Sequence, residues 1–326
     1  MVYPISPHLA SISKQDSANS PIDKAAPTPD SRKEPWREYK VVKDDVSVSK
    51  LAFGTGTAWY KEEGDTNFNN DLVQLTKTAI QKGYIHLDCS EMYGTEEEVG
   101  IAIKEAGIPR EKLFITNKVA QGIVNIDAAI TQSLKKIQTD YFDLYLIHVP
   151  FFAESPADLQ NTWKAMEEVK AAGKAKSIGV SNYLRHELEA TLQTAIDPPV
   201  INQIEYHPYL QRANGYVPWM HENNIQVGSF KGLTPAFRVP GGPLKGPLGR
   251  IADAHQTTEN VVLLAWLIQR NIVAVTTTQK VERLNEYKEV LDVKLTEEEI
   301  NEISEVGATA HFRNAWGERF ADDDRS

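Results

Sequence analysis

The stretch Asp143-Leu-Tyr-Leu-Ile-His148 decides the fold, because an unbroken apolar run stands between two ionisable residues. A strand that is apolar at nearly every position is buried on both faces, which is typical of parallel sheets covered by helices. Seven further short β-rich runs occur along the chain, and segments with helical periodicity separate them. The eight runs are 50–55, 84–89, 113–118, 141–148, 175–181, 200–206, 225–230 and 272–277. Strict alternation of eight such units predicts an α/β fold, a (β/α)8 TIM barrel.

A doubly wound sheet is the rival architecture, and it usually carries G-x-G-x-x-G after its first strand. Here the first run leads into Gly54-Thr-Gly56-Thr-Ala-Trp59, so a tryptophan stands where the third glycine would be. The pattern G-x-x-x-x-G-K-[ST], which cradles phosphates, is missing from the sequence as well. The barrel is therefore the favoured interpretation.

Composition excludes several classes of protein. The chain has 326 residues, with 45 acidic and 35 basic side chains and a net charge of −10, which argues against nucleic-acid or membrane partners. Its single cysteine, Cys89, cannot form a disulfide framework. The longest apolar run is too short to span a bilayer, and the first residues lack a signal sequence. We expect a cytoplasmic enzyme.

Both ends of the chain differ from the middle. Residues 1–35 are rich in Ser, Pro and Lys without hydrophobic periodicity, so we predict a disordered N-terminal extension. Residues 36–326 are predicted to form a single barrel domain with a C-terminal substrate loop, ending in a frayed tail at 321–326. The Pro/Gly-rich stretch 240–249 is expected to be either a hinged loop or a plain surface loop.

Ionisable residues end three successive strands of the predicted barrel. Asp88, Lys118 and His148 follow one another at intervals of 30 residues, one βα unit per step. The carboxyl ends of barrel strands meet at the face that carries the active site, so these side chains should converge there. Tyr93 lies in the loop after Asp88 and adds a proton donor. A nearby ammonium favours the phenolate form of tyrosine, which predicts a lowered pKa for Tyr93.

These residues belong to motifs that together resemble the aldo-keto reductases. The motifs are Leu87-Asp-Cys-Ser-Glu-Met-Tyr-Gly94, Thr116-Asn-Lys118, Asp143-Leu-Tyr-Leu-Ile-His148 and Ile178-Gly-Val-Ser-Asn182. The resemblance extends from about residue 40 to residue 310. Residues 54–60 and 275–280 further resemble the fungal branch that contains conjugated polyketone, ketopantoyl lactone and α-keto amide reductases.

The resemblance implies a catalytic tetrad. Tyr93 would be the general acid, Lys118 would lower its pKa, Asp88 would anchor Lys118, and His148 would orient the substrate. Each residue alone also has a structural interpretation, such as an ion pair at a strand end or a buried core histidine. Their occurrence together, in order and at one-unit spacing, favours the catalytic interpretation.

The resemblance also implies a nicotinamide cofactor, with NADPH favoured and NADH less expected. Ser181, Asn182 and Gln203 would hold the carboxamide, and Phe230 would stack on the ring where the family more often has tyrosine. The implied cofactor-binding set is Gly56, Thr57, Ser181, Asn182, Gln203, Phe230, Thr278, Lys280, Arg283 and Glu286. Threonines replace a common Lys-Ser pair at 277–278, so the expected 2′-phosphate site depends on Lys280 and Arg283.

The expected substrate is a small carbonyl compound, namely an activated dicarbonyl, a keto-lactone or an α-keto compound. Trp59, His148, Phe151 and Trp316 are the predicted substrate-binding residues, and no metal site is expected. The expected state is a monomer. An alternative is a nicotinamide-binding, redox-sensing regulatory subunit of the same fold with little turnover. A third possibility is an unrelated barrel, such as a hydrolase or isomerase, in which the order of the four residues is accidental.

Overall fold

Eight parallel strands form a closed barrel in the computed structural model, which describes residues 38–41, 46–62 and 64–326. The strands are β3 (Leu51–Gly54), β4 (His86–Asp88), β5 (Phe114–Val119), β6 (Phe142–Ile147), β7 (Ala175–Ser181), β8 (Ile201–Glu205), β9 (Gln226–Phe230) and β10 (Ile272–Thr276). They pair in chain order, and β10 closes the barrel against β3. The predicted (β/α)8 architecture is thus confirmed, whereas the predicted extension at 1–35 lies outside the described residues.

Helices follow the strands and cover the outside of the barrel. They are α1 (Asn70–Gln81), α2 (Glu96–Ala106), α3 (Ile126–Ile137), α4 (Pro156–Ala171), α5 (Arg185–Leu192), α6 (Tyr216–Glu222), α7 (Thr234–Phe237), α8 (Lys245–Ala254), α9 (Glu259–Gln269), α10 (Val281–Lys288) and α11 (Glu297–Ala308). Helix α3 buries the apolar stripe that its sequence predicts, including Ile130 and Leu134. Thr296 caps α11 in a capping box with Glu299.

An antiparallel hairpin precedes the barrel. Its strands β1 (Glu38–Val41) and β2 (Val46–Ser49) pair only with each other. Val48 from β2 is buried in an apolar cluster with residues from the first part of several barrel strands. The cluster comprises Val48, Phe114, Leu144, Leu146, Val200, Ile201 and Val273. The barrel interior is therefore apolar toward the amino ends of its strands.

The end of the chain is fixed by hydrogen bonds, so the predicted frayed tail is wrong. The Ala213 backbone N–H donates to the Arg325 oxygen at 2.8 Å. The Arg313 guanidinium donates to the Ser326 oxygen at 2.6 Å, and Arg212 donates to the same oxygen. The acidic composition of 321–326 suggested fraying. The segment is nevertheless ordered, because its backbone oxygens accept hydrogen bonds from Arg212 and Arg313.

The Pro/Gly-rich stretch is partly helical, because α8 begins at Lys245 and continues through Gly246 and Gly249. Only 240–244 is irregular. Among residues 38–41, 46–62 and 64–326, no helix combines the length and the apolar character needed to cross a bilayer.

Gly179 in β7 provides a test of the barrel packing. A Cβ atom there would lie 2.7 Å from the Ile201 backbone oxygen and 2.9 Å from a Leu146 methyl carbon. We expect Gly179→Ala to lower the free energy of unfolding by about 1–3 kcal/mol, the usual cost of overpacking. Gly246→Ala is the matched control, since nothing lies within 4 Å of its Cβ position. Urea unfolding of both variants checks this, and equal stabilities would contradict the packing.

Candidate active site

Three neighbouring strands bring Asp88, Lys118 and His148 together at the carboxyl face of the barrel. Asp88 ends β4, Lys118 lies near the end of β5, and His148 directly follows β6. Lys118 Nζ donates to Asp88 Oδ1 at 2.6 Å, to the Cys89 oxygen at 2.9 Å and to Tyr93 Oη at 3.2 Å. The 30-residue spacing in the sequence thus corresponds to side chains that lie close together at one end of the barrel.

Tyr93 is held between two neighbours. A short 3₁₀ turn over Glu91–Tyr93 carries it away from β4 and over the barrel mouth. A Cβ at Gly56 would lie 2.7 Å from a ring carbon of Tyr93, so only glycine lets the chain approach so closely. On another side, the Tyr93 and His148 rings meet edge to face, with centroids 5.6 Å apart. These contacts fix the phenol ring while its oxygen faces the cavity.

The ion pair is sealed from solvent, since Lys118 is 0% exposed and Asp88 is 2% exposed. Burial alone would lower the pKa of Lys118, but the Asp88 carboxylate and Tyr93 outweigh it and raise that pKa to about 12. Lys118 is therefore charged at neutral pH. A buried ammonium of this kind is stable only because its partners accept all of its hydrogen bonds.

The expectation of a lowered pKa for Tyr93 is wrong for this structure. Burial raises the pKa of Tyr93 above its ordinary value, and the Lys118 ammonium opposes the rise without cancelling it. Tyr93 is therefore protonated at neutral pH. Because Tyr93 Oη accepts a hydrogen bond from Lys118, its own proton is left for an acceptor in the cavity.

His148 is neutral for a related reason. Burial, and then the Lys118 ammonium, hold the pKa of His148 well below its ordinary value. Its backbone is fixed at both polar atoms, because its N–H donates to the Val119 oxygen at 2.8 Å and its oxygen accepts from Asn182 Nδ2 at 2.9 Å. On the side chain, Nδ1 lies 2.9 Å from Ser90 Oγ. The second ring nitrogen, Nε2, is the one that faces the cavity.

A cavity of about 420 Å³ opens above these residues. Ten of the residues singled out from the sequence line it: Gly56, Thr57, Asp88, Tyr93, His148, Asn182, Gln203, Phe230, Arg283 and Trp316. Gln203 Nε2 donates to the second carboxylate oxygen of Asp88 at 2.7 Å, so the cavity wall and the ion pair share a hydrogen bond. The C-terminal segment reaches the cavity through Trp316, because Glu205 accepts the backbone N–H groups of Asn314 and Ala315.

Several predicted cofactor residues lie behind or beside the cavity rather than in its lining. Ser181 is buried and donates to the Gln203 oxygen at 2.7 Å. Thr278 is buried and accepts from the Lys280 N–H at 3.0 Å. Glu286 accepts hydrogen bonds from the neighbouring side chains of Thr258 and Asn260. Lys280 is exposed.

Two predicted substrate residues do not line the main cavity. Trp59 does not line the main cavity, because its ring is buried and its Nε1 donates to the Thr278 oxygen at 3.2 Å. It lies instead beside a second cavity, of about 360 Å³, next to Tyr60. Phe151 stands behind Trp316 with ring centroids 5.2 Å apart, so it supports that side chain rather than the cavity surface.

Two cationic residues of the lining, Lys231 and Arg238, are absent from the site predicted from the sequence. Lys231 directly follows Phe230 at the end of β9 and has a positive φ of 60°, and burial followed by the Arg238 charge lowers its pKa. The position of Lys231 at a strand end was the available signal, but the prediction included only Phe230. With Arg283, these side chains place three cationic groups along one cavity.

The lining fits a nicotinamide dinucleotide. Asn182 and Gln203 carry amides that can bind a carboxamide, Phe230 offers an aromatic face, and the three cationic groups suit phosphates. Within the described part of the chain, no three His, Cys, Asp or Glu side chains are grouped so as to hold a metal ion.

Comparison with known proteins agrees with this geometry, since residues 50–236 match the aldo/keto reductase family. The chain belongs to the aldo/keto reductase family. It is 38% identical over 264 residues to the NAD/NADP-dependent indole-3-acetaldehyde reductase of Schizosaccharomyces pombe, covering 80% of this chain and 93% of the relative. It is 35% identical over 266 residues to the NADPH-dependent alpha-keto amide reductase of Saccharomyces cerevisiae, covering 78% and 85%.

Solved structures show the same fold in this family. The Bombyx mori aldo-keto reductase in complex with NADP gives a TM-score of 0.73 at 29% identity, covering 83% of this chain and 92% of that one. The predicted family is confirmed, and the two fungal reductases confirm the resemblance to the fungal branch. This aldo/keto reductase is accordingly an NAD(P)H-dependent oxidoreductase.

His86 makes stability depend on pH. It is buried below Asp88, with Nε2 lying 2.9 Å from Thr116 Oγ1, and burial lowers its pKa to about 4. As pH falls from about 6.5 to 4, His86 becomes protonated in the unfolded chain but stays neutral in the folded protein. The free energy of unfolding should therefore drop by up to about 3 kcal/mol over this range from His86 alone.

Denaturant unfolding at several pH values checks this expectation. His86→Gln should flatten the dependence on pH between 6.5 and 4, whatever its effect on absolute stability. His186→Gln, which changes an exposed histidine, is the control and should keep the wild-type slope. An unchanged slope in His86→Gln would refute the assignment.

Proposed function

We propose that this chain reduces the carbonyl group of a ketone or aldehyde to an alcohol with NADPH, and that Tyr93 donates the proton. The observation that carries the proposal is the placement of Lys118 Nζ between Asp88 and Tyr93, 2.6 Å and 3.2 Å away, beneath a cavity lined by Tyr93 and His148. A buried ion pair thus lies behind two neutral hydrogen-bond donors.

The residues divide the chemistry between them. When bound, the nicotinamide supplies a hydride to the carbonyl carbon. Tyr93 gives its proton to the carbonyl oxygen, and the phenolate that remains is stabilised by the Lys118 ammonium. Because this charge develops only as the proton leaves, Lys118 stabilises the transition state more than the ground state. Neutral His148 donates a hydrogen bond to the same carbonyl oxygen and orients it.

NADPH is the proposed cofactor, with NADH less suited. Arg283 lines the cavity, and its guanidinium carbon lies 4.9 Å from the centroid of the Phe237 ring. A guanidinium held in this way can bind a 2′-phosphate in bidentate fashion. Lys280 lies three residues before it and would act as a second, more exposed cation. The relatives support this choice in part, since one is NAD/NADP-dependent and the other NADPH-dependent.

The proposed substrates are activated carbonyl compounds such as dicarbonyls, keto-lactones and α-keto compounds. The cavity lining also includes Phe230, Ala315 and Trp316, which suits a compact, partly apolar molecule. Among the relatives, one acts on indole-3-acetaldehyde and the other on alpha-keto amides, both small carbonyl substrates.

The role of Tyr93 is tested by removing its hydroxyl. Tyr93→Phe should lower kcat by about 10²–10⁴-fold, because the proton donor is lost while the ring and its packing remain. The assay follows NADPH absorbance with isatin, ketopantoyl lactone and a simple aldehyde. Tyr60→Phe is the matched control, since Tyr60 is 46% exposed and should keep wild-type activity.

The same experiment separates the alternatives. Full activity in Tyr93→Phe would contradict the proposed acid. Binding of NADPH, seen as fluorescence quenching, without turnover of any carbonyl compound by the wild type would favour a redox-sensing regulatory subunit. Absence of both binding and turnover would contradict the proposal as a whole.

Cofactor choice is tested at Arg283. Arg283→Met should raise the KM for NADPH by about 10- to 100-fold, the loss of affinity expected when one charge-assisted hydrogen bond is removed. The KM for NADH should stay nearly unchanged. Arg250→Met, which changes an exposed arginine on α8, serves as the control. Equal effects on the two cofactors would show that Arg283 does not recognise the 2′-phosphate.

A further inference from the structure

Ser90 is a buried hydroxyl with three polar neighbours. It lies between Asp88 and Tyr93 and is 0% exposed. Its Oγ is 2.9 Å from His148 Nδ1, 3.3 Å from the Lys118 backbone oxygen, and accepts the Met92 N–H at 3.2 Å. The hydroxyl has only one proton for two possible acceptors, so the proton position must be decided.

The shorter of the two contacts is the one to His148. Hydrogen bonds from a hydroxyl to an oxygen are normally 2.5–3.0 Å long, and the 3.3 Å separation from the Lys118 oxygen exceeds this range. The 2.9 Å separation from His148 Nδ1 is a good hydrogen-bond length. Neutral imidazole has one protonated nitrogen and one acceptor nitrogen. If Ser90 donates to Nδ1, then Nε2 carries the ring proton.

The tautomer matters because Nε2 is the nitrogen that faces the cavity. We propose that Ser90 is a positioning residue that holds His148 in the Nε2–H form, so that this ring can donate to a substrate oxygen. The significance for catalysis rests on the proposed function, in which that oxygen belongs to a carbonyl. In the opposite tautomer, the Nε2 lone pair would repel the carbonyl oxygen and compete with it for the Tyr93 proton.

No other contact recorded for the described residues can set this tautomer. The remaining contacts of His148 are an edge-to-face packing against Tyr93 and hydrogen bonds of its backbone to Val119 and Asn182. These orient the ring plane but do not distinguish the two nitrogens. Ser90 alone among the described residues lies within hydrogen-bond distance of a ring nitrogen.

The first test reads the tautomer directly in the full chain without substrate. Protein labelled with ¹⁵N-histidine is recorded at pH 7.5, and the His148 signals are assigned by their loss in His148→Gln. We expect a protonated Nε2 and an unprotonated, hydrogen-bonded Nδ1. A protonated Nδ1 would overturn the proposal. This readout does not depend on turnover, so failure of the proposed function leaves it intact.

The second test compares three variants. Ser90→Ala should shift the His148 ¹⁵N resonances toward a mixture of tautomers and lower kcat/KM about tenfold, with NADPH binding unchanged. Ser90→Thr keeps the hydroxyl and should restore both the resonances and most of the activity. Ser133→Ala changes a buried serine on α3 and is the control for general loss of packing.

A purely structural role for Ser90 makes a different prediction. Ser90 also caps the turn that carries Tyr93, so a structural serine would lower activity without altering the His148 nitrogen signals. Unchanged ¹⁵N resonances in Ser90→Ala would therefore overturn the proposal, even if activity fell. Altered resonances that Ser90→Thr restores would support it.

Discussion

The Lys118–Asp88 ion pair is the interaction on which the rest of the site depends. Taking two charges out of water costs several kcal/mol per ion, so such a pair persists only when geometry and hydrogen bonds are nearly ideal. Here Lys118 donates to Asp88, to the Cys89 oxygen and to Tyr93, while Gln203 donates to the other oxygen of Asp88. Few folds could hold these groups so closely with no access for solvent.

A closed barrel meets this requirement through its regular spacing. Parallel pairing of β4, β5 and β6 sets Asp88 opposite Thr116 and Lys118 opposite Leu146. Residues 30 apart in sequence are therefore offset by two residues along neighbouring strands, and their side chains point to the same face of the sheet. The apolar cluster around Val48 fills the amino end of the interior. Asp88 and Lys118 meet at the carboxyl end. The same arrangement that buries the charge therefore also leaves a cavity directly above it.

Sequence reasoning predicted the features that depend on repetition along the chain. The eight strands and the alignment of Asp88, Lys118 and His148 follow from apolar runs and the 30-residue interval, both of which are local or periodic signals. It does not reach features that long-range contacts decide. The Trp59 ring N–H donates to the oxygen of Thr278, 219 residues later, and no local pattern contains that information. The lowered pKa expected for Tyr93 failed because burial, which depends on the whole fold, exceeds the effect of one neighbouring ammonium.

Burial acts on Tyr93 and His148 in opposite directions with one result. It raises the pKa of the phenol and lowers that of the imidazole, because in each case it disfavours the charged form. Both side chains are therefore neutral at physiological pH, and both retain a proton to donate. The permanent charge of Lys118 lies behind them, without exposure to solvent, and reaches the cavity through its contact with Tyr93 Oη. Under the proposed function, such a site offers two weak acids to an incoming oxygen, and the Lys118 charge would stabilise the phenolate form of Tyr93.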